Sequence, residues 1–330
     1  MHEPPAVAII GCGLIGGKRA QALNGCRVRV CCDTVLDRAQ KLAALYPGAE
    51  AVADWAAAVN HSEVDIVIVA VTHDQLAPIA KAAAAAAKHV LIEKPGARRA
   101  SELDGVLSEA QRTAVAVRVG FNHRYHRAFR EARKIFQSGV LGEMMFIRGR
   151  YGHGGRMGYD REWRADPRVS GGGELLDQGI HLIDLSRWFL GEFENVQAHI
   201  ATYFWDMPVE DNAFLILTTR GGQTAFLHAT WTEWKNLFSL EIYGRTGKLE
   251  ISGLGGSYGV ERLACYRMSP EMGPPETTIW EYPTADNSWE TEFSEFLDDI
   301  RLHRDPVPGI RDAQAALGII EKVYREAGVR

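Results

Sequence analysis

The feature that most constrains this chain is the stretch from Ala6 to Asp33. Ala6–Ile10 is a short apolar run, typical of a buried parallel strand, and three glycines follow it directly. A helical segment and a second apolar run, Arg27–Cys32, then lead to the acid. The order strand, glycine turn, helix, strand and acid predicts a site for a dinucleotide.

Each glycine of the turn has a separate predicted task. Gly11, Gly13 and Gly16 have the G-x-G-x-x-G spacing. Gly11 permits the tight turn, Gly13 lets a pyrophosphate approach the backbone, and Gly16 lets the helix pack against the strand. The helix begins with Leu14 and Ile15. This end of the helix offers unpaired N–H groups and the positive end of the helix dipole to the phosphates. We therefore expect all five residues to contact the cofactor.

Asp33 predicts which cofactor is bound. A carboxylate at the end of the second strand can accept a hydrogen bond from a ribose 2′-hydroxyl, and its charge repels the 2′-phosphate of NADP. The sequence therefore favours NAD. Arg38 lies within reach of such a phosphate, which leaves NADP open.

The rest of the chain predicts two domains of different architecture. Strands alternate with helices as far as Gly120, which predicts a doubly wound parallel sheet and a dinucleotide-binding Rossmann domain over residues 1–121. In residues 122–330 strands follow strands, which predicts an α/β domain with an open, antiparallel or mixed sheet. The strands expected in its sheet are Met144–Tyr151, Val196–Phe204, Asn212–Thr219, Thr224–Trp231, Phe238–Tyr243 and Lys248–Ser252. Aromatic positions such as Phe226 and Tyr243 predict a second apolar face, covered by another copy of the chain or by helices.

Composition narrows the function. A net charge of −5 over 330 residues gives no reason to expect nucleic acid or an anionic membrane as partner. No apolar run is long enough for a transmembrane helix, and the first residues show no signal-peptide pattern. The five cysteines are odd in number and lack metal-type spacing, so we expect reduced thiols and a cytoplasmic protein.

The first group of candidate catalytic residues is Glu93-Lys94-Pro95. It follows a predicted strand, at the carboxyl edge where open α/β sheets bind ligands. A partly buried lysine there is suited to proton transfer or to binding a substrate hydroxyl. A surface lysine in a βα loop is the alternative.

The second group is a polar stripe on an otherwise apolar segment, Gly171–Trp188. At helical spacing Glu174, Asp177, His181 and Asp184 share one face, which either meets water or lies inside a site. Asp177 and His181 are four residues apart, so the carboxylate can orient the imidazole or share a substrate hydroxyl with it. The same pair could bind a metal, but no third and fourth ligands occur at a recognisable spacing, and we expect no metal.

Glycines and loops around this segment complete the predicted substrate site. Gly179 inside the helix suggests close approach of cofactor or substrate, and Gly171–Gly173 is expected to be a flexible loop at the rim. Trp163-Arg164 could stack on and pair with a ligand, or anchor a loop. Tyr151–Gly155, which contains His153, is expected to be a substrate lid. Substrate specificity is expected in the loops after Tyr151 and around Trp231–Asn236.

Three ordered motifs resemble those of the glucose–fructose oxidoreductase/inositol dehydrogenase/MocA family. They are the GCGLIG turn, the EKP at Glu93–Pro95, and the pattern G-G-x-L-x-D-x-G-x-H-x-x-D at Gly172–Asp184. The resemblance covers essentially the whole chain. It implies a Rossmann domain followed by an α/β domain whose large open sheet mediates homodimers or homotetramers.

The resemblance also implies roles for individual residues. Lys94, Asp177 and His181 match the catalytic trio of the family, and the Lys94–Pro95 peptide is expected to be cis. Further residues match positions that line the nicotinamide: Thr72, His73, Glu93 and Asn122, although many members carry Pro-Asn where this chain has His73-Asp74. His153, Trp163 and Arg164 are expected to join the trio in contacting the substrate.

The activity implied is NAD(P)-dependent hydride transfer at a secondary alcohol or ketone of a sugar or cyclitol. The YGHGG and WRADP segments resemble members that act in polysaccharide biosynthesis, which favours nucleotide-linked sugars. An NAD-dependent glycosidase is the alternative, because Tyr151–Gly155 partly resembles the Gly-Gly-His-Gly-Gly loop of such enzymes but lacks its first glycine. A cofactor-binding protein without catalysis is a second alternative, disfavoured because the trio is retained.

Overall fold

The computed structural model describes residues 3–329 and divides the chain into two compact units. The first unit contains the chain up to Phe121 together with Arg168–Gly171 and Trp289–Leu317. The second contains Asn122–Pro167, Gly172–Ser288 and the chain from Gly318 onward. The segment Trp289–Leu317, which sequence analysis grouped with the C-terminal domain, thus packs with the first unit.

The strands form two sheets, one in each unit. The sheet of the first unit has the order β3-β2-β1-β4-β5-β6, and its pairs are parallel. This is the strand order of a doubly wound dinucleotide-binding fold, which confirms the predicted Rossmann architecture. The strands of this sheet are β1 (Ala6–Ile10), β2 (Arg27–Cys32), β3 (Glu50–Val52), β4 (Ile66–Val69), β5 (His89–Glu93) and β6 (Val117–Gly120).

The second sheet has eight strands in the order β14-β13-β12-β11-β7-β10-β9-β8. Its neighbours are antiparallel except for β7 and β10, which run parallel, so the predicted mostly antiparallel sheet is confirmed. The strands are β7 (Met144–Gly152), β8 (Phe193–Ala201), β9 (Asn212–Thr219), β10 (Thr224–Thr230), β11 (Leu237–Gly244), β12 (Gly247–Ser252), β13 (Glu261–Arg267) and β14 (Glu276–Tyr282). Strands β13 and β14 were not predicted.

Helices connect and cover these strands. The α-helices are α1 (Leu14–Gln21), α2 (Leu36–Ala43), α3 (Trp55–Val59), α4 (His73–Ala85), α5 (Asp104–Thr113), α6 (Arg127–Gln137), α7 (Pro167–Ser170), α8 (Ile180–Leu190), α9 (Ser288–Arg301) and α10 (Ile310–Glu326). Within residues 3–329, no helix has both the length and the apolar character needed to cross a membrane.

The second sheet has one covered and one open face. Helix α8 packs on β7 and β10, and α6 packs on β12, β13 and β14. At Gly149 a Cβ would lie 3.2 Å from Leu182 of α8 and 2.8 Å from Leu240, so the helix sits close against the strands. On the opposite face Phe226 and Ile216 remain exposed. Within unit 2 the helices thus cover one face, and the second predicted apolar face stays open.

The first unit buries an arginine between two carboxylates. Arg19 of α1 donates to Glu93 at the end of β5 and to Glu292 of α9, each over 2.5 Å. A Cβ at Gly120 would lie 2.5 Å from the same guanidinium. All three charged side chains are buried. Because one cation meets two carboxylates, the cluster carries an excess negative charge when both acids are ionised.

The pKa of Glu292 is raised above the ordinary value for glutamate. Burial is the main cause and the charge of Glu93 adds to it, whereas Arg19 and Arg118 oppose the shift. The Oε1 of Glu292 has no hydrogen-bond partner among the described residues. A carboxyl whose pKa is raised by folding stabilises the folded state fully below its unfolded pKa, and this contribution is lost as pH rises through the folded pKa.

We therefore expect Glu292→Gln to become progressively more favourable, relative to the native chain, as pH rises from 5 to 8. The measurement is the difference in Tm between the two proteins at several pH values. Asp298→Asn is a matched control, since Asp298 lies on the same helix, is exposed and pairs with Arg301. A Tm difference that does not change with pH would contradict the assignment.

Candidate active site

The glycine turn of the first unit is shaped by close backbone contacts. Gly11 has φ of +94°, and a Cβ there would lie 2.2 Å from the Ala70 carbonyl oxygen. A Cβ at Gly16 would lie 1.8 Å from the Gly11 carbonyl oxygen. At Gly13 a Cβ would meet no atom within 4 Å. Gly11 and Gly16 therefore pack tightly against protein backbone, whereas space remains next to Gly13. A backbone turn that binds a phosphate requires this arrangement.

Asp33 folds back over this turn. Its Oδ2 accepts the N–H of Cys12, 2.9 Å away, and its Oδ1 accepts the N–H of Val35, 2.8 Å away. Each carboxylate oxygen keeps further acceptor capacity. Leu14 and Arg38 are exposed, and Ile15 is half-buried. Turn and carboxylate thus lie together, as the sequence predicts.

The predicted nicotinamide residues of the first unit differ in how they are held. The hydroxyl of Thr72 donates to Asp74, 2.7 Å away. His73 is buried, and its Nδ1 lies 2.7 Å from the Ser170 carbonyl oxygen. Glu93 is the acid that accepts from Arg19. Their contact with a cofactor stays a prediction.

Lys94 follows β5 directly and is half-buried. The Lys94–Pro95 peptide is cis, which confirms the expectation that the resemblance implies. Val307–Pro308 is also cis and was not predicted. Lys94 belongs to the first unit, whereas Asp177 and His181 belong to the second.

The second unit places the polar segment on a helix with an unusual first turn. Leu175–Gly179 forms a π-turn, and α8 continues from Ile180. A π-turn has one extra residue, so the regular helical spacing assumed in sequence analysis does not hold here. Glu174, Asp177, His181 and Asp184 are nevertheless all buried. These polar groups are therefore enclosed by protein and do not face water.

Asp177 and His181 face other polar or aromatic groups. The Oδ2 of Asp177 accepts from Nε of Arg164 over 3.0 Å. The ring of His181 stacks on His123, with centroids 3.8 Å apart and planes inclined by 23°. Nδ1 of His123 lies 3.2 Å from Oδ1 of Asn122, and the Asn122 amide donates to Ser288. Asn122 thus contacts His123 and Ser288, which belong to the second unit like Asn122 itself.

Asp184 has a structural partner. Its two oxygens accept from Nε and Nη2 of Arg124 at 2.8 and 2.6 Å, and both side chains are buried. This bidentate pair fixes α8 to the segment that precedes α6, and it explains why an acid occurs on an otherwise apolar stretch.

The glycines of this region do not have the roles first expected. Gly171–Gly173 is buried, and a Cβ at Gly172 would lie 2.0 Å from the Tyr324 hydroxyl. At Gly173 a Cβ would lie 2.0 Å from the Glu210 carbonyl oxygen. The expectation of a flexible rim loop was therefore wrong. Gly179 approaches strand β10, since a Cβ there would lie 3.3 Å from Ala229, so a ligand is not needed to explain it.

Glu210 anchors the start of the helical segment. Its Oε1 accepts the N–H groups of Gly173 and Leu175 and the hydroxyl of Tyr324, at 3.0, 3.1 and 2.7 Å. Burial raises the pKa of Glu210, while these hydrogen bonds lower it. Glu210, His123 and Arg124 were all missed in the sequence. The motif HRYH contains the latter two, but no sequence signal links Glu210 to glycines about 35 residues earlier.

The remaining predicted substrate residues follow β7: His153 lies directly after the strand, and Trp163 and Arg164 lie in a 3-10 turn. Nδ1 of His153 accepts the N–H of Gly155 over 3.0 Å. The Arg164 guanidinium lies 4.6 Å from the Trp163 ring centroid. Among residues 3–329, no group of three or more His, Cys, Asp or Glu side chains could hold a metal ion.

Comparison with family models identifies both units. Residues 6–121 match the model described as the oxidoreductase family with an NAD-binding Rossmann fold, and residues 129–250 match the GFO/IDH/MocA C-terminal domain. Together the two matches cover more than half of the chain.

Individual relatives agree with these matches. The chain is 30% identical to a levoglucosan dehydrogenase from Pseudarthrobacter phenanthrenivorans, over 52% of this chain and 44% of that protein, so less than half of that relative is spanned. It is 28% identical to an inositol 2-dehydrogenase from Salmonella paratyphi B, over 90% of this chain and 86% of that protein. The solved structure of a levoglucosan dehydrogenase with NADH and levoglucosan has the same fold, with a TM-score of 0.86, 21% identity, and coverage of 98% and 97%.

We expect Glu210→Leu to lower the free energy of unfolding by about 2–4 kcal/mol, because it leaves buried N–H and O–H groups without an acceptor. Glu210→Gln keeps the Oε1 acceptor and should stay within about 1 kcal/mol of the native chain. Denaturant unfolding of the three proteins is the measurement. Equal losses in both variants would show that the carboxylate charge, and not the acceptor, is what matters.

Proposed function

Because the chain belongs to the GFO/IDH/MocA family of oxidoreductases, we propose that it is an NAD-dependent sugar or cyclitol dehydrogenase. It transfers a hydride between the nicotinamide and a secondary alcohol or ketone of the substrate. Within this class, the YGHGG and WRADP segments predict nucleotide-linked sugars, and free sugars and cyclitols are the alternative. Relatives named for inositol and levoglucosan support the wider class.

The observation that carries the proposal is the glycine turn closed by Asp33. The turn is open at Gly13, where a phosphate would need to approach, and Asp33 lies at the position suited to a ribose hydroxyl. The residues present therefore fit NAD. Gly11, Gly13, Leu14, Ile15, Gly16 and Asp33 would hold its adenosine and phosphates, with Arg38 nearby. Thr72, His73, Glu93, Lys94 and Asn122 would line the nicotinamide.

When bound, NAD supplies the hydride acceptor, and the protein's side chains handle the proton and the substrate. His181 accepts the proton of the reacting hydroxyl at an imidazole nitrogen. Asp177 orients His181 and is itself held by Arg164. Lys94 donates a hydrogen bond to the reacting oxygen. His153, Trp163 and Arg164 contact the rest of the substrate.

The open face of the second sheet supports a proposal on assembly. Phe146 stacks on Tyr243 with centroids 4.2 Å apart, and Phe214 stacks on His228 at 4.1 Å. Exposed Phe226 adds to this surface, which also carries the ion-paired Arg148, Glu241 and Lys248. We propose a homodimer or homotetramer that buries it. In this scheme residues 1–121 bind the cofactor, and residues 122–330 bind the substrate and mediate assembly.

The first test is an assay with purified protein and NAD or NADP against free sugars, inositols and nucleotide-linked sugars, with nicotinamide absorbance as readout. We expect at least one compound to be oxidised with reduction of NAD to NADH. His181→Ala should lower kcat about 10²–10⁴-fold, the usual range for loss of a general base. His199→Ala, which alters a histidine on β8 bonded to Tyr203, is the control.

If the kcat of His181→Ala stays within a few-fold of the native value, Lys94 and not His181 is the general base. If NAD binds but no compound is oxidised, glycosides are tested next for release of the aglycone. Release without net NADH would support the glycosidase alternative.

Asp33 should select between the two cofactors. We expect Asp33→Ser to lower kcat/KM for NAD and raise that for NADP, so that the ratio shifts at least about tenfold, because the charge that repels a 2′-phosphate is removed. Steady-state kinetics with both cofactors measure this ratio. An unchanged ratio in a variant of native Tm would assign selectivity elsewhere.

A further inference from the structure

An exposed cluster of aromatic rings lies on the second unit, and we call Phe204, Trp205 and Trp234 the aromatic platform. Trp234 and Phe204 are 69% and 58% exposed, and their ring centroids are 4.8 Å apart. Phe204 also contacts Trp205, at 5.3 Å. Adjacent exposed aromatic side chains of this size are unusual unless they meet a ligand or partner.

Hydrogen bonds to buried groups fix the backbone and one indole ring of the platform. Fully buried Asp211 accepts the N–H groups of Tyr203, Phe204 and Trp205 at 2.8, 2.8 and 3.0 Å. Burial opposes ionisation of Asp211, but these bonds and that from Asn212 keep its pKa below the ordinary value. The indole N–H of Trp205 donates to the Trp231 carbonyl over 3.0 Å. The rings are thus arranged before any ligand binds, which lowers the entropy cost of binding.

The glycines after β7 pack directly on the platform. A Cβ at Gly155 would lie 2.6 Å from the Trp205 ring, and Gly155 has φ of +69°. A Cβ at Gly154 would lie 3.4 Å from the Trp234 ring. The two glycines next to His153 are therefore needed to bring this loop against the aromatic rings.

The platform continues towards Asp177. Trp205 lies 5.8 Å from Tyr159, ring centroid to ring centroid. Tyr159 is buried, and burial together with the nearby charge of Asp177 raises its pKa. Arg164, five residues further along, bonds Asp177. Tyr159 thus neighbours both Asp177 and the platform, so a molecule held at Asp177 has the exposed rings within reach.

Charges around the platform are balanced in number, and the arginines among them are paired with acids. Arg156 pairs with Glu162 at 2.6 Å, and Arg164 pairs with Asp177. Residues 153–164, 203–206 and 233–235 contain four bases and four acids: Arg156, Arg161, Arg164 and Lys235, with Asp160, Glu162, Asp206 and Glu233. Outside a glycine turn such as that at Gly11–Gly16, a diphosphate is usually bound by Arg or Lys side chains that are not already neutralised by acids. The surroundings thus favour an uncharged ligand over a nucleotide-linked sugar.

We propose that the aromatic platform binds a second, uncharged sugar ring, attached to the ring that is oxidised. The flat C–H face of a pyranose suits an exposed aromatic face, and the polar residues around it can meet the hydroxyls. The preferred substrate is then a glycoside or oligosaccharide. This inference rests on the proposed function, since it takes Asp177 as part of the site for the reacting ring.

Calorimetry with NADH present tests the platform without turnover. Glucose, cellobiose, maltose, lactose and UDP-glucose are titrated into the native protein, Phe204→Ala, Trp234→Ala and Tyr203→Ala. Tyr203 is a matched control, because it lies on the same loop and is exposed, but its hydroxyl pairs with His199. kcat/KM for the same sugars is measured in parallel with NAD.

We expect at least one disaccharide to bind the native protein about tenfold or more tighter than glucose. Trp234→Ala and Phe204→Ala should lose most of this difference with little change for glucose, and Tyr203→Ala should keep it. Equal affinity for glucose and every disaccharide would overturn the proposal, as would tighter binding of UDP-glucose that depends on Trp234. Disaccharide binding without any oxidation would leave the platform standing and overturn the proposed dehydrogenase activity.

Discussion

The hydrogen bonds of one buried carboxylate determine how the candidate site is built. Glu210 accepts from Gly173, Leu175 and Tyr324, and so joins the start of the helical segment to the approach to β9 and to the end of α10. An acid at the beginning of a helix also satisfies N–H groups that the helix cannot pair internally. The positions of Asp177 and His181 follow from where this segment begins.

The sequence predicted best where one local motif carries a physical requirement. The turn at Gly11–Gly16 needs glycine at fixed spacing, so strand, turn, helix and Asp33 could all be predicted, and the parallel sheet with them. The cis Lys94–Pro95 peptide was expected from resemblance. Strands β13 and β14 were missed; β14 in particular is largely exposed and gives a weak apolar pattern.

The site was harder to predict because its contacts are distant in sequence. A π-turn at Leu175–Gly179 changes the helical phase, and the stacking of His123 on His181 joins elements nearly 60 residues apart. Gly172 and Gly173 are explained by Tyr324 and Glu210, which no local pattern connects to them. Polar residues could be recognised, but their partners could not.

The first unit is built from segments that are distant in sequence, and this affects when it can fold during translation. Its arginines Arg19 and Arg118 find their buried partners Glu292 and Asp299 on α9, 273 and 181 residues later in the sequence. Phe293 and Phe296 of the same helix fill its apolar core. Domains generally fold in order as they leave the ribosome. Here the first sheet emerges long before the helix that neutralises and covers it. A nascent chain stopped at Phe121 therefore holds two arginines without these acids, and the unit is completed only after α9 has been translated.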